Sequence, residues 1–233
     1  MNGNGIIISS IYKFKKIYKF ITSIIIMNDI NLIADKIKKN GYYIIKNYIP
    51  QSDCQKIINH IKNNTIPSYN TGEGGDIRVS NYQKYSNIAT KFLNDKFFLQ
   101  IGAKLLGHNA DKKTKRCQLG IVKYNNGKEC SGGGWHVDRH TRQFKTILYV
   151  SDVSNDNGPF AIFSPPLKSK DYPALPGRKN TRFSDEIAIK FNDRLKILTG
   201  NAGDVILVDT SNIHRGTIIK KGGRTTLTNY YYD

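Results

Sequence analysis

A mainly β fold, a double-sheet jelly roll with helices packed on one sheet, is predicted by three features of the sequence. Helical periodicity is confined to the first half, short strand-like runs punctuated by Gly, Asn and Asp follow from about Lys115, and β-branched Ile and ring-bearing Tyr are abundant throughout. Hydrophobic residues make up 39% and aromatics 11% of 233 residues, the composition of a folded chain rather than a disordered one. That length accommodates one domain with a sizeable core, and a second full domain would be a squeeze.

The elements follow in order. From Asn31 to Lys39, "NLIADKIKK" has apolar residues at 32, 33 and 37 and stops at Asn40 and Gly41, which predicts a helix. A short strand over Tyr42 to Lys46 is expected next. Pro50 and Ser52 then open a second helix running to about Asn63, with Ser52 and Gln55 as a capping box. Residues 66 to 76, which include "TGEGG", read as a loop, and "DIRVSNY" as a short strand. Ser86 caps a further helical stretch that continues through "FLNDKFFLQIGAKLLG" and stops at Gly107. Beyond it, "RCQLGIVKY", "FKTILYVSDV", "RLKILTG", "GDVILVDT", "GTIIKK" and "TTLTNYYYD" are strand-like.

Three cysteines without a C-x-x-C pair, Cys54, Cys117 and Cys130, fit neither a disulfide framework nor a zinc cluster, so a reducing, intracellular and cytoplasmic setting is expected. The net charge of +18 admits nucleic acid or an anionic membrane as partner. However, the basic residues are mostly Lys scattered among Asn and Ile, the pattern of a compositional bias. In residues 1–26, two Ile-rich runs flank Lys13, Lys15, Lys16 and Lys19. Neither run approaches the ~20 apolar residues a bilayer crossing needs, and central charges do not make a signal peptide. Two readings remain: a basic amphipathic segment on a membrane surface, or an extension upstream of a start at Met27, the reading preferred here. The domain is therefore expected over residues 27–233.

The chemistry is concentrated in "GGGWHVDRH". His136 and Asp138 stand two residues apart at an expected strand end, so period-two alternation puts both side chains on one face. His214, in "GDVILVDTSNIHRG", ends a later apolar run and can supply a third ligand. Two histidines and a carboxylate leave three coordination positions open, the donor set of iron(II) oxygenases. A 2-oxo acid can chelate there through keto and carboxylate oxygens, with a position left for O2. Its far carboxylate needs a cation, and Arg224 lies ten residues beyond His214 with the planar fork that grips a carboxylate. An H-x-D triplet alone is common by chance; its specificity comes from the order H-x-D, "GD" strand, His, Arg.

"WHVD", "FKTILYVSDVSNDNGPF", "GDVILVDTSNIHRG" and "GGRTTL" resemble the phytanoyl-CoA dioxygenase-like family of iron(II)- and 2-oxoglutarate-dependent oxygenases, and "GYYIIKNYIPQSDCQKI" is similar to that family's opening strand and helix. The resemblance spans about Gly41 to Asp233. It implies a double-stranded β-helix, Fe(II) on His136, Asp138 and His214, and Arg224 as anchor for 2-oxoglutarate. It also implies that Gln118 touches the co-substrate, with Lys145 a further candidate for the same pocket or else a solvent-facing lysine. The implied reaction is hydroxylation of a small, anionic or lipid-like molecule with release of succinate and CO2; related halogenases lack the Asp138 carboxylate. The chain departs from the family in carrying "SPPLKS" at residues 164–169 in place of a "PGSH" turn, and in an Arg one residue nearer the last His than in some relatives.

Two other functions compete. A nucleic-acid or protein demethylase of the same fold suits the charge, but such enzymes commonly carry a further Arg and none follows Arg224. A metal-binding jelly roll without turnover needs no Arg224. Of the other histidines, His140 reads as a surface residue or a support for the site, and His60 and His108 as structural or exposed. Trp135 and the glycines 132 to 134 form either a lip over the site or a turn.

Overall fold

The computed structural model describes residues 29–70, 76–107, 115–124, 126–127 and 133–231. The extension 1–26, His108, Cys130 and Gly132 lie outside the described residues.

The first helix, α1 (residues 29–40), ends at Gly41, whose φ of +85° gives the left-handed stop read from the sequence. Strand β1 (Tyr42–Ile45) and helix α2 (Gln51–Asn63) follow. The capping box does not form: α2 begins at Gln51 behind Pro50, with no side-chain cap. The Pro50 carbonyl accepts from the N–H groups of Asp53 and Cys54, which leaves Ser52 inside the first turn.

A short β2 (Tyr69–Asn70), inside the expected loop, pairs with β3 (Asp76–Val79). The single helical stretch expected after Ser86 is two helices, α3 (Asn87–Leu93) and α4 (Lys96–Leu106). Ser86 caps the first as expected; Asp95 then caps the second through Phe97 N–H, and the turn between them swings α4 to a new direction.

Nine residues of β4 (Lys115–Lys123) open the strand-rich half. It continues with β5 (Trp135–His136), β6 (Phe144–Tyr149), β7 (Phe160–Phe163), β8 (Arg182–Phe183), α5 (Glu186–Lys190), β9 (Leu195–Leu198), β10 (Val205–Asp209), β11 (His214–Gly216) and β12 (Gly223–Tyr231). "GTIIKK" is not a strand. The N–H groups of Lys220 and Lys221 bond the Asp156 carbonyl, and only Ile219 makes an isolated bridge, to Asn157. Strand β7 was missed because "PFAIF" is a short apolar run without alternation.

The strands form two antiparallel sheets in the orders β1-β10-β6-β12-β4-β3-β2 and β8-β5-β11-β7-β9. Alternate residues of the seven-stranded sheet, among them Cys117, Leu119, Leu148, Leu207 and Leu227, pack under α1 to α4 in the main core. Residues of the opposite face meet the five-stranded sheet. Toward β6, β10 and β1 the space between sheets is filled by Ile147, Tyr149, Ile162, Leu198, Ile206 and Val208. Toward β12, β4 and β3 it opens into a cavity. The far side of the smaller sheet buries Trp135, Phe163 and Phe183 beneath the segment containing α5, so Trp135 is core and no lip. This is the double-sheet jelly roll predicted.

Candidate active site

Strand pairing assembles the site. β5 and β11 are neighbours in register, with His136 opposite His214, so both imidazoles project from the smaller sheet into the inter-sheet space with ring centroids 4.4 Å apart. Asp138 follows just beyond the end of β5, where its N–H donates to the Thr210 carbonyl. The Nε2 of His136 is 3.9 Å from Asp138 Oδ1, and the Nε2 of His214 is 3.6 Å from Oδ2. Among the described residues, these three form a group whose candidate donor atoms all lie within 4.8 Å of one another.

The tautomers follow from the hydrogen bonds. His136 Nδ1 lies 2.9 Å from the Gly134 carbonyl and His214 Nδ1 2.8 Å from the Asn212 carbonyl. A carbonyl only accepts, so each Nδ1 carries the proton and each Nε2 keeps a lone pair facing Asp138. Burial, joined by the neighbouring His214, pushes the His136 pKa down to about 3. Burial also lowers that of His214. For Asp138, burial alone would raise the pKa, but Lys145 and the two imidazoles hold it below the usual carboxylate range. Two neutral imidazoles and one carboxylate, at these separations, fit a divalent first-row metal bound at about 2.1 Å.

The cavity beside this triad has a volume of about 190 Å³. Gln118, Lys145 and Arg224, expected near the site, all line it. Arg224 comes from β12, opposite Val122 of β4, and its Nη1 is buried without a hydrogen-bond partner. Gly158 lies beside it at φ +72°, where an added Cβ would stand 2.5 Å from Ile219 and 2.8 Å from the Thr217 carbonyl, so the turn packs closely against the segment between β11 and β12. Phe160 stacks on His214 at 5.1 Å and closes that side against water. Lys145 is buried rather than solvent-facing, and its Nζ donates to Asp138 Oδ2 at 2.6 Å.

Asp76 and Arg78, ion-paired on β3, line the same cavity and were not singled out from the sequence. The signal was charge at i and i+2 in "DIRV", which alternation turns to one face. Thr226, Thr228 and Tyr230 line it as well, on alternate positions of "TTLTNYY". His140 is a surface residue: its exposed ring nitrogens contact Ser169 Oγ and the Lys179 carbonyl, both at 2.9 Å, joining the loop after Asp138 to the segment between β7 and β8. His60, bonded to the Tyr82 hydroxyl, is structural.

No family model matches the chain, and no curated protein matches it in sequence. Solved structures do match in fold. The epimerase SnoN in complex with Fe3+, alpha ketoglutarate and nogalamycin RO has a TM-score of 0.65 at 12% identity, covering 88% of this chain and 84% of that one. A Pseudomonas putida prolyl-4-hydroxylase has a TM-score of 0.58 at 14% identity, over 87% and 97% of the two chains. HygX from Streptomyces hygroscopicus, with nickel and 2-oxoglutarate bound, has a TM-score of 0.55 at 15% identity, over 83% of each. The jelly roll is thus the fold that this chain shares with these proteins. Among the described residues, no helix is long and apolar enough to cross a membrane.

Proposed function

We propose that this protein is an iron(II)- and 2-oxoglutarate-dependent dioxygenase of the phytanoyl-CoA dioxygenase-like type. It would convert a C–H bond of its substrate to C–OH while 2-oxoglutarate and O2 become succinate and CO2. The observation that carries this reading is the pair of Nδ1-protonated histidines facing Asp138 at a cavity that also holds the buried, unpartnered Arg224 nitrogen. Iron bound by His136, Asp138 and His214 would supply the oxidising chemistry.

The chain's own residues do the rest. Peptide carbonyls at Gly134 and Asn212 keep the imidazoles in the ligand tautomer. Arg224 receives the distal carboxylate of 2-oxoglutarate, where a bidentate ion pair replaces the missing partner of its Nη1. Gln118, two strand positions from Gly120 on the cavity floor, contacts the co-substrate. Phe160 excludes water beside His214. Asp138 occupies the position that a halide would need, which favours hydroxylation over halogenation. A lining of Thr210, Thr226, Thr228, Asp76 and Arg78 supports a small polar substrate, anionic in part, over an acyl chain. Buried free thiols at Cys54 and Cys117 support a reducing cytoplasmic setting. Because SnoN is an epimerase, net epimerisation is the second reading, and product analysis separates the two.

The test is an anaerobic titration of the iron(II) protein with 2-oxoglutarate, followed by the visible charge-transfer band of the keto-acid chelate. Wild type is expected to give the band and His136→Ala to give none, while Arg224→Ala should need at least about tenfold more 2-oxoglutarate, from loss of charge-assisted hydrogen bonds. No band from wild type at saturating iron and co-substrate would leave a metal-binding jelly roll without turnover.

A further inference from the structure

Lys145 is 7% exposed, on β6, an interior strand of the seven-stranded sheet, paired with Val208 of β10 on one side and Tyr230 of β12 on the other. Its ammonium lies 4.3 Å from the Tyr230 ring centroid and donates to Asp138 Oδ2 at 2.6 Å. The strand and the aromatic ring fix where that ammonium stands. Asp138 is anchored by its own backbone N–H to Thr210. Asp138 is therefore held at its backbone and at one carboxylate oxygen. Both oxygens face the imidazoles, Oδ2 at 3.6 Å from His214 Nε2 and Oδ1 at 3.9 Å from His136 Nε2, but Oδ2 alone also accepts from Lys145.

We propose that Lys145 is a positioning residue that makes Asp138 a one-oxygen ligand, and so keeps open the coordination positions that 2-oxoglutarate and O2 require. This rests on the oxygenase reading above. The consequence is arithmetical. A six-coordinate ion held by two imidazoles and one carboxylate oxygen has three positions left, two for the keto acid and one for O2. If both Asp138 oxygens bind, only two remain. Freed of Lys145, Oδ2 has no other donor assigned to it and can turn to the same ion.

The prediction has an unusual sign. In Lys145→Met, the metal gains an oxygen and loses a neighbouring positive charge, so metal affinity holds or rises. Affinity for 2-oxoglutarate falls at least about tenfold, the scale of losing a residue that orients a metal ligand. Lys145→Arg keeps a donor and a charge and stays near wild type. General damage to the site would weaken both ligands together.

The experiment uses the full chain loaded with cobalt(II) and, separately, anaerobic iron(II). Cobalt affinity and visible absorption report coordination, and the charge-transfer band reports 2-oxoglutarate binding. Tight cobalt binding by Lys145→Met with an altered cobalt spectrum and weakened 2-oxoglutarate binding supports the proposal. Wild-type 2-oxoglutarate affinity in Lys145→Met, or weakened affinity with an unchanged cobalt spectrum, overturns it and leaves the oxygenase reading standing. If wild type binds neither metal nor 2-oxoglutarate, both fall. Should Lys145→Met fail to fold, a crystal structure of cobalt-loaded wild type decides. Oδ2 on Lys145 supports the assignment, and both oxygens on the metal overturn it.

Discussion

Along β12, Leu227, Asn229 and Tyr231 are buried beneath the helices, whereas Arg224, Thr226, Thr228 and Tyr230 line the cavity. β4 divides the same way, with Cys117 and Leu119 on one side and Gln118 and Gly120 on the other. One backbone thus serves two purposes, because successive side chains of a strand point to opposite faces. The helix-covered face stabilises the molecule by burying apolar area. The cavity face carries polar groups that are costly to bury without a ligand or a partner, as the Nη1 of Arg224 is here. Neighbouring residues one step apart should therefore fail in different ways.

The sharpest way to break this comparison is Leu227→Ala. The side chain is fully buried in the main core, and its truncation should cost about 2–5 kcal/mol in denaturant unfolding. Iron and 2-oxoglutarate affinity of the folded variant should be unchanged. A parallel loss of affinity would mean that the two faces are not independent.

A smaller effect is expected at the sheet's edge, from a charge that belongs to neither face. Asp204, just before β10, accepts from Lys46 Nζ at 2.8 Å and from the N–H groups of Asn47 and Asn201, both at 2.9 Å. Burial acts to raise its pKa, but Lys46 and the two N–H groups outweigh it and hold the carboxyl below its ordinary 3.8. A carboxylate with a depressed folded pKa contributes stability above the unfolded value, and this is lost as pH falls through the folded one. Asp204→Asn should thus cost about 2 kcal/mol near neutral pH. The gap to wild type should shrink as pH drops below 3.8, in unfolding measured across that range. A gap independent of pH would place the loss in packing.

The smallest change should come from Thr228→Val, one step from Leu227. Its unfolding free energy should move by no more than about 0.5 kcal/mol, since shape is kept and the site is half-open. What changes is ligand affinity, read from the 2-oxoglutarate titration. A large stability loss there would mean that the threonine hydroxyl is part of the core after all.

Much of this division was legible beforehand. "TTLTNYY" and "RCQLGIV" alternate, and local alternation survives folding because it depends only on adjacent residues. Ser86 and the Gly41 and Gly107 stops were legible for the same reason, as caps act within one turn. The Ser52 and Gln55 capping box does not form because Pro50, two residues earlier, sets the start of the helix. β7 escapes notice and "GTIIKK" reads as a strand because a short apolar run carries no sign of whether a partner strand is in reach.

His136, Asp138, His214 and Arg224 could be nominated from residue type, order and spacing, and the two-faced strands from their period. Those are properties of short stretches, and the sequence by itself determined them. Only the tertiary structure decided that His136 lies opposite His214, that Arg224 lines the same cavity with its Nη1 buried, that Asp76 and Arg78 share it, and that Lys145 reaches Asp138 rather than solvent. Most of these are contacts between strands far apart in the chain, and Lys145 and Asp138, seven residues apart, meet because β6 and the end of β5 belong to opposite sheets. Register and sheet order, set by the packing of the whole domain, determine which side chains meet.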